Sequence, residues 1–424
     1  MSSTTSQRMS LFLPWVMVLV GTAFYCYECL LRVSPSVMRL ELMLNYSIDA
    51  ATFSTLIAYY YYIYTPMQLF VGVLMDRYGP RKLLTFAALV CAVGTYAFVA
   101  TQHLVTGEMG RLLIGLGSSF AFVGVLKIAA VWLPENKFAL VSGSTMALGM
   151  IGGLLGDTTV TSLVTFEGWR LASIHAAILG FGLSVLLWTI LRDHKPDVDP
   201  KEEAVNSFQD VFSGLWRLLC NRQSWIVGII GCMMWFPISI YAEAWGIGHL
   251  QDVLGYNRED ASHAIALLFL GMACGGPCVG LLSDYLERRR VVVFGGALMT
   301  CIISSTLIYV PGLTQPQVFM LCFFFGYFNA PQVLVFPMAK EITDKYTVGS
   351  ALSVTNMFVM AAGIIQPITG YLLRYMGPSQ VINGAPIYGP EAYHVALAII
   401  PISLAITMIL VFTAKETYQA GIGH

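Results

Sequence analysis

Long apolar runs separated by short polar turns make up nearly the whole chain. Windows of about 20 mostly apolar residues, the length that crosses a bilayer as a helix, can be placed twelve times. We number these spans 1 to 12, and they cover 13–35, 50–75, 83–101, 109–132, 138–164, 169–191, 224–247, 260–283, 291–310, 316–339, 348–375 and 392–413. The longest polar interruption, 192–222, divides the spans six and six. The pattern predicts an all-α membrane protein with twelve transmembrane helices in two bundles: an N-terminal bundle at 1–191, a cytoplasmic linker at 192–222 and a C-terminal bundle at 223–424.

Composition agrees with a membrane protein and argues against several other classes. Hydrophobic residues make up 57% of the chain and charged residues 11%, against about 25% charged in a soluble domain. The net charge of −1, with no basic tract, gives no reason to expect a nucleic-acid partner. The nine scattered cysteines predict neither a disulfide framework nor a metal site. Because no zinc-protease, phosphate-loop, serine-hydrolase or dinucleotide motif is present, we expect no catalytic residues, no enzyme activity and no cofactor.

The positions of Lys and Arg predict the orientation. Placing the N-terminus inside puts 16 of the 23 cations on the cytoplasmic side, as the positive-inside rule requires. The other seven lie in the membrane or outside: Arg32, Arg39, Arg111, Lys127, Arg170, Arg258 and Arg374. We read the first apolar run as a retained span, since no small-residue cleavage site follows it. The expectation is a monomer in a cell inner membrane, with both termini cytoplasmic.

The turn between spans 2 and 3 carries the most specific motif. Gly72 to Lys82 reads GVLMDRYGPRK, and a run of charges this dense must lie at a membrane surface. A weaker copy, GLLSDYLERRR, begins at Gly280 and contains Asp284, and span 4 opens with an R-x-x-x-G-x-G pattern from Arg111. An ordinary positive-inside loop could account for one copy of the motif, but it accounts far less well for two. Together these motifs resemble the signature loops and the fourth helix of the major facilitator superfamily.

This resemblance implies a secondary transporter in which two bundles expose a central site to each side of the membrane in turn. It also implies that the loop charges hold one side shut. The expected gating residues are Asp76, Arg77, Arg81, Lys82, Arg111 and Asp284. More narrowly, YCYECLLRVSPSVM at Tyr25 to Met38 resembles the first helix of the phagosomal nutrient transporters of intracellular bacteria and of lysosomal dipeptide transporters. That resemblance implies uptake of an amino acid, a short peptide or a nucleoside.

Ionisable residues inside the spans are candidates for function because each is costly in a membrane. Glu28 and Arg32 are four residues apart on one face of span 1, so they can form an ion pair. They either neutralise each other, with Arg32 snorkelling to the surface, or bind a substrate carboxylate and a proton. Lys127 either snorkels at the inner end of span 4 or lies in a cavity. Asp157 in span 5 and Glu243 in span 7 are further candidates for proton coupling, although Glu243 near the end of its span could simply be a wetted gate residue.

Neutral polar and aromatic residues complete the expected substrate site. In span 2, successive tyrosines point about 100° apart, and we expect Tyr59 and Tyr62 to face the cavity. The full expected set of substrate-binding residues is Glu28, Arg32, Tyr59, Tyr62, Lys127, Trp235, Tyr241, Asn329, Gln332 and Asn356.

The favoured function is proton-coupled uptake of a small polar metabolite. A uniporter remains open, since an acid that never changes protonation could simply bind substrate. An exporter of a drug, siderophore or metabolite would share the fold, but span 5 lacks the proline of the antiporter motif. A non-transporting nutrient receptor would need an output segment, and the polar tails and linker are short.

Overall fold

The computed structural model describes residues 2–193, 217–343, 348–382 and 385–418, so most of the expected linker lies outside the described residues. Twelve long helical segments cross the molecule in alternating directions. In chain order they are α1 (Ser2–Val37), α2 (Ala50–Tyr78), α3 (Pro80–Ala100), α4 (Leu104–Ser118 and Ala121–Trp132), α5 (Glu135–Glu167), α6 (Trp169–Ile190), α7 (Arg222–Pro237, a π-helical Ile238–Trp245, and Gly246–Asp252), α8 (Arg258–Leu286), α9 (Arg289–Tyr309), α10 (Gln315–Asn329, a 3₁₀ Ala330–Leu334, and Val335–Glu341), α11 (Val348–Ile364 and Pro367–Met376) and α12 (Pro390–Leu397 and Ile399–Thr413).

Eleven of these segments in the described chain are long and apolar enough to cross a membrane. The twelfth, α2, is 29 residues long, but its six tyrosines and Gln68 lower its mean hydropathy. The predicted all-α fold with twelve transmembrane helices is confirmed.

An even number of crossings places both chain ends on one side, here called the terminal side. The opposite, far side carries a short helix, Arg39–Tyr46, between α1 and α2. It also carries a small antiparallel hairpin between α11 and α12, formed by β1 (Gln380–Ile382) and β2 (Ala385–Ile387).

The two halves, α1–α6 and α7–α12, repeat one device at the terminal side. In the first half, the carboxylate of Asp193, just after α6, accepts the backbone N–H of Arg81 at 2.8 Å. In the second half, the carboxylate of Glu416, just after α12, accepts the backbone N–H of Arg289 at 2.8 Å. Each acid satisfies a free N–H in the first turn of the third helix of its half. The same contact in both halves is the structural counterpart of the repeated loop motif.

The halves meet chiefly along two seams, α2 against α11 and α5 against α8, and α1 also contacts α7. In the first seam, Gly363 lies so close to the ring of buried Tyr61 that a Cβ there would overlap it. In the second, the hydroxyls of Thr161 and Ser262 are 2.6 Å apart. Thr161 lies towards the far end of α5, so this seam is closed on the far side.

Candidate functional site

A cavity of about 500 Å³ lies between the two halves, within the usual size range for small-molecule sites. Its walls come from the terminal-side parts of α5, α8, α10 and α11, and from α1, α2, α4 and α7 near mid-membrane. Leu140, Gly143 and Ser144 line it and are exposed. Because these residues lie in the terminal-side part of α5 and the far side of the same seam is closed, the cavity opens to the terminal side.

Arg32 of α1 is the single charged residue among the described residues that line the cavity. Its side chain is 4% exposed, and its Nε lies 3.1 Å from Oε1 of Glu243 on α7. That contact is electrostatic, since neither atom has a partner in hydrogen-bond geometry. The Arg32 guanidinium also lies over the ring of Trp235, 5.8 Å from its centroid. An aromatic face stabilises a cation through its quadrupole, so the charge is held at the cavity wall.

The other oxygen of Glu243 accepts a hydrogen bond from the hydroxyl of Tyr61 on α2. Glu243 belongs to the π-helical turn of α7 that begins after Pro237, and π-helical turns are frequent at functional sites. The side chain is fully buried. Two charges and a hydroxyl from both halves therefore meet in one place, at the end of the cavity nearest mid-membrane.

Glu28 does not pair with Arg32, contrary to the expectation from their spacing. It accepts a hydrogen bond of 2.9 Å from the hydroxyl of Tyr60 and a weak one of 3.5 Å from the thiol of Cys29. It is fully buried and is not among the cavity-lining residues. The partner of Arg32 belongs instead to the other half of the molecule: an oxygen of Glu243 on α7 lies beside its Nε.

The tyrosines of α2 also differ from the expectation. Tyr62 is 37% exposed, and neither it nor Tyr59 lines the cavity. The helix turns its opposite face inward, so Tyr60 and Tyr61 contact the two acids while Tyr64 lines the cavity.

Of the remaining expected binding residues, three line the cavity and three do not. Trp235, Gln332 and Asn356 line it, and Asn356 also donates to Gln68 of the other half at 3.0 Å. The three that lie elsewhere are fully buried Tyr241, bonded to His249 at 3.1 Å, fully buried Asn329, which donates to the carbonyl of Met234 at 3.1 Å, and half-buried Lys127.

Asp157 of α5 lies outside the cavity, in the closed far-side part of the α5–α8 seam. It is fully buried, and neither carboxylate oxygen has a hydrogen-bond partner.

Three of the six expected gating residues, Arg81, Arg111 and Asp284, make contacts within their own half. Arg81 donates to the carbonyl of Trp188 at 2.9 Å, and Arg289 pairs with Asp284 at 2.9 Å. Arg111 donates to the backbone carbonyls of Leu31 on α1 and Ile57 on α2, so it ties three helices of the first bundle together. Arg77 and Lys82 are exposed, and the side chain of Asp76 lies outside the described residues.

Sequence reasoning missed an ion pair that joins the halves on the far side. The guanidinium of Arg39 donates to both oxygens of Asp252, at 2.8 and 2.7 Å, and each side chain is 2% exposed. The hydroxyl of Tyr393 accepts from Arg39 at 3.1 Å and donates to Asp252 at 2.9 Å. Burial would lower the pKa of Arg39, but Tyr393 and Asp252 beside it raise it well above its usual value. We call Arg39, Asp252 and Tyr393 the far gate.

The sequence is similar to those of curated bacterial transporters. It is 23% identical over 382 residues to the probable sulfoacetate transporter SauU of Cupriavidus necator, covering 85% of this chain and 87% of the relative. It is also 23% identical over 398 residues to the hexuronate transporter of Escherichia coli, covering 86% of this chain and 89% of the relative. The proline/betaine transporter of the same species is 23% identical over 374 residues, covering 80% and 71%.

Solved structures share the fold at low sequence identity. A bacterial homolog of the human lysosomal transporter Spinster, inward-facing and unoccupied, superposes with a TM-score of 0.71 at 14% identity, covering 95% of both chains. The nucleoside transporter NupG superposes with a TM-score of 0.75 at 12% identity, covering 95% of this chain and 100% of that one.

The family model of the Major Facilitator Superfamily matches residues 15–367 and 238–421. With the two-bundle fold and the cavity between the halves, this match confirms that the chain is a membrane transporter of the major facilitator superfamily.

Proposed function

We propose that this protein imports a small organic anion together with protons, by alternating access, across a bacterial inner membrane. The single observation that carries the proposal is the position of Arg32: a buried guanidinium on the wall of a cavity whose described lining holds no other charge. Guanidinium binds carboxylate, sulfonate and phosphate groups through paired hydrogen bonds. Two of the curated relatives are named for transport of organic anions, sulfoacetate and hexuronate.

An anion fits the site better than the amine-bearing substrates expected from the first helix. An ammonium group would need a free carboxylate, but Glu243 is held by Arg32 and Tyr61, and Glu28 is held by Tyr60. Neither acid lines the cavity.

The body of the substrate faces a largely apolar wall. Apart from Arg32, the lining offers the amides of Gln332 and Asn356 and a few hydroxyls. The rest of the lining is mainly aromatic and aliphatic: Phe122, Leu140, Met146, Met150, Trp235, Met272, Phe336, Val359 and Met360. A compact acid with an apolar or aromatic body buries more apolar surface here than a polyhydroxylated acid does, and burial of such surface favours binding.

Coupling follows from competition for Arg32. When the substrate anion pairs with Arg32, Glu243 loses its counter-charge in a buried site, where an ionised carboxylate is strongly disfavoured. Glu243 then binds a proton. Glu28 supplies a second proton site through its bond to Tyr60. One monoanion moving with two protons carries one net positive charge inward, which at about 100 mV supplies about 2.3 kcal/mol. That energy concentrates the solute roughly fortyfold.

In this proposal the terminal side is the cytoplasm, and the chain works as a monomer with bundles at 1–191 and 223–424. The excess of cations in the terminal-side loops supports the orientation, and the bacterial relatives support the location.

Uptake by proteoliposomes tests the proposal. We expect labelled benzenesulfonate, sulfoacetate or glucuronate, which stay ionised outside the liposomes, to accumulate inside when the lumen is made alkaline, and a dipeptide and a nucleoside not to accumulate. The Arg32→Gln protein should lose both uptake and exchange of the anion, while Arg32→Lys, which keeps the charge, should retain part of the exchange. Accumulation of the dipeptide or nucleoside with no transport of any anion would refute the proposal. Anion transport that ignores the pH gradient would show a uniporter.

A further inference from the structure

The proposed transport cycle does not use Asp157, although it is the one buried acid among the described residues with both carboxylate oxygens unpartnered. Its side chain is 0% exposed, and both carboxylate oxygens lack a hydrogen-bond partner. An ionised carboxylate buried without a hydrogen bond or a counter-ion is so unfavourable that the group takes up a proton instead. The far-closed conformation seen here therefore requires Asp157 in its neutral form.

Asp157 lies where the two halves close on each other. One turn before it, Gly153 packs against the ring of Phe269 on α8. One turn after it, Thr161 is hydrogen-bonded to Ser262 of α8. Residues four apart share one face of a helix, so Asp157 points into the α5–α8 seam between these two contacts. When the far side opens along this seam, the carboxyl group meets water.

The charged and titratable groups around Asp157 do not replace the missing partner. From α7, Glu243 acts on it with like charge. From α8, the stretch between Ser262 and Phe269 has His263 as its one titratable residue, and His263 is exposed. From α1, the residues packed beside it at Gly156 are Leu30 and Val33.

We infer that Asp157 is a proton-binding site of the far-side seam, which must be occupied before the far side can close. The proton enters while the far side is open and is enclosed between the halves on closure. The cavity does not reach Asp157, so the proton is not released to the terminal side and leaves by the way it came. Asp157 thus makes closure depend on far-side pH without adding to the number of protons transported.

Asp49, an ion-paired acid of the far side, does not give this dependence. The pKa of Asp49 is held below its usual value: burial opposes this shift, but the N–H and hydroxyl of Thr52 and the charge of Arg374 outweigh it. The ion pair of Asp49 with Arg374 is therefore present at every pH above the usual Asp value and is lost only as pH falls through the lowered one. It stays intact between pH 5.5 and 8.5, since even pH 5.5 is about 1.6 units above the usual Asp pKa of about 3.9.

Labelling of a cysteine in the seam tests the inference. Ser262, 1% exposed here, becomes reachable from the far side only on opening. Maleimide reacts with the thiolate, which itself becomes more abundant as pH rises, so each labelling rate is divided by that of an unfolded sample of the same protein at the same pH. In the Ser262→Cys protein, this corrected rate with a membrane-impermeant maleimide, measured above the background of the native cysteines, should rise as far-side pH rises from 5.5 to 8.5. Binding of one proton per closure changes the closed-to-open ratio by up to about tenfold per pH unit. Addition of Asp157→Asn should make the corrected rate low and independent of pH, and Asp157→Leu, which leaves no buried amide unpaired, should do the same.

Glu167→Gln is the matched control. Glu167 is the last residue of the same helix, lies on the far side and is 43% exposed in its contact with His175, so its loss should leave the pH profile unchanged. The inference is wrong if Asp157→Leu keeps the pH profile of the parent, if Glu167→Gln removes it, or if labelling responds to sodium concentration and not to pH. None of these outcomes depends on which solute is carried. Conversely, failure of anion uptake in proteoliposomes leaves the labelling result intact.

Discussion

A single substitution in the far gate should have a large effect on the conformational equilibrium. Arg39 and Asp252 are joined by two hydrogen bonds of 2.8 and 2.7 Å, each side chain is 2% exposed, and Tyr393 bonds to both. Removal of one partner, as in Arg39→Leu or Asp252→Leu, leaves the other charge buried and unpaired, which costs about 3–5 kcal/mol. Opening of the far side relieves that cost because water reaches the remaining charge.

The population ratio follows directly. At about 1.4 kcal/mol per factor of ten, each single variant should shift the equilibrium towards the far-open state by roughly two to three and a half orders of magnitude. The double variant Arg39→Leu/Asp252→Leu leaves no unpaired charge, and well-packed apolar replacements of buried ion pairs are often neutral or stabilising. The far side of the double variant should therefore be mostly closed, as in the wild type.

The assay is maleimide labelling of Ser262→Cys from the far side at fixed pH, with distances between spin labels on the two halves as an independent check. Arg374→Gln is the control, since its pair with Asp49 is 53% and 39% exposed and such pairs contribute at most about 1 kcal/mol. If the single far-gate variants label no faster than Arg374→Gln, or if the double variant labels as fast as the singles, the assignment of the gate to this buried pair fails.

Two further predictions concern packing and the repeat. Gly363→Ala places a Cβ against the ring of Tyr61 and should destabilise the protein by about 1–3 kcal/mol through overpacking, whereas Gly349→Ala enters open space. Gly363→Ala should unfold at a lower temperature in detergent and take up less anion than Gly349→Ala. Equal unfolding temperatures and equal uptake in the two variants would contradict the tight α2–α11 contact. Asp193→Ala and Glu416→Ala should each cost about 1 kcal/mol, as loss of a helix cap does, and the costs should add because the sites are in different halves. If only one of these two substitutions lowered the stability, the two acids would not have equivalent roles in the two halves.

The sequence was sufficient for the fold because membrane spans have a strong one-dimensional signal. Twelve apolar windows, a repeated loop and a six-and-six division predicted the architecture, and α2 was recognised although its tyrosines weaken its apolar signal. The same reasoning identified Arg32, Trp235, Gln332 and Asn356, all of which line the cavity. Charged, amide and indole side chains within a span can be recognised from residue type alone.

What the sequence could not predict was the rotation of each helix about its axis and the choice of partner across the halves. Rotation of α2 about its axis by about 100° decides whether Tyr59 or Tyr60 faces inward. A run of consecutive tyrosines does not indicate which of these rotations the helix adopts. The spacing of Glu28 and Arg32 indicated a local pair, yet a partner from α7 reaches Arg32 in three dimensions. The π-helical turn that positions Glu243 had only Pro237 as its signal, and the far gate had only the placement of Arg39 among the seven cations outside the cytoplasmic set.

Proton uptake on substrate binding tests the central claim, that an organic anion and Glu243 compete for Arg32. The measurement uses purified protein in weak buffer, titrated with an anion that proteoliposomes accumulate, while the pH change and the heat of binding are recorded. We predict that the wild type takes up protons as the anion binds. The Glu243→Gln protein should bind the anion more tightly with fewer protons taken up, and Arg32→Gln should not bind it. Equal proton uptake by the wild type and Glu243→Gln, or undiminished binding by Arg32→Gln, would contradict the account.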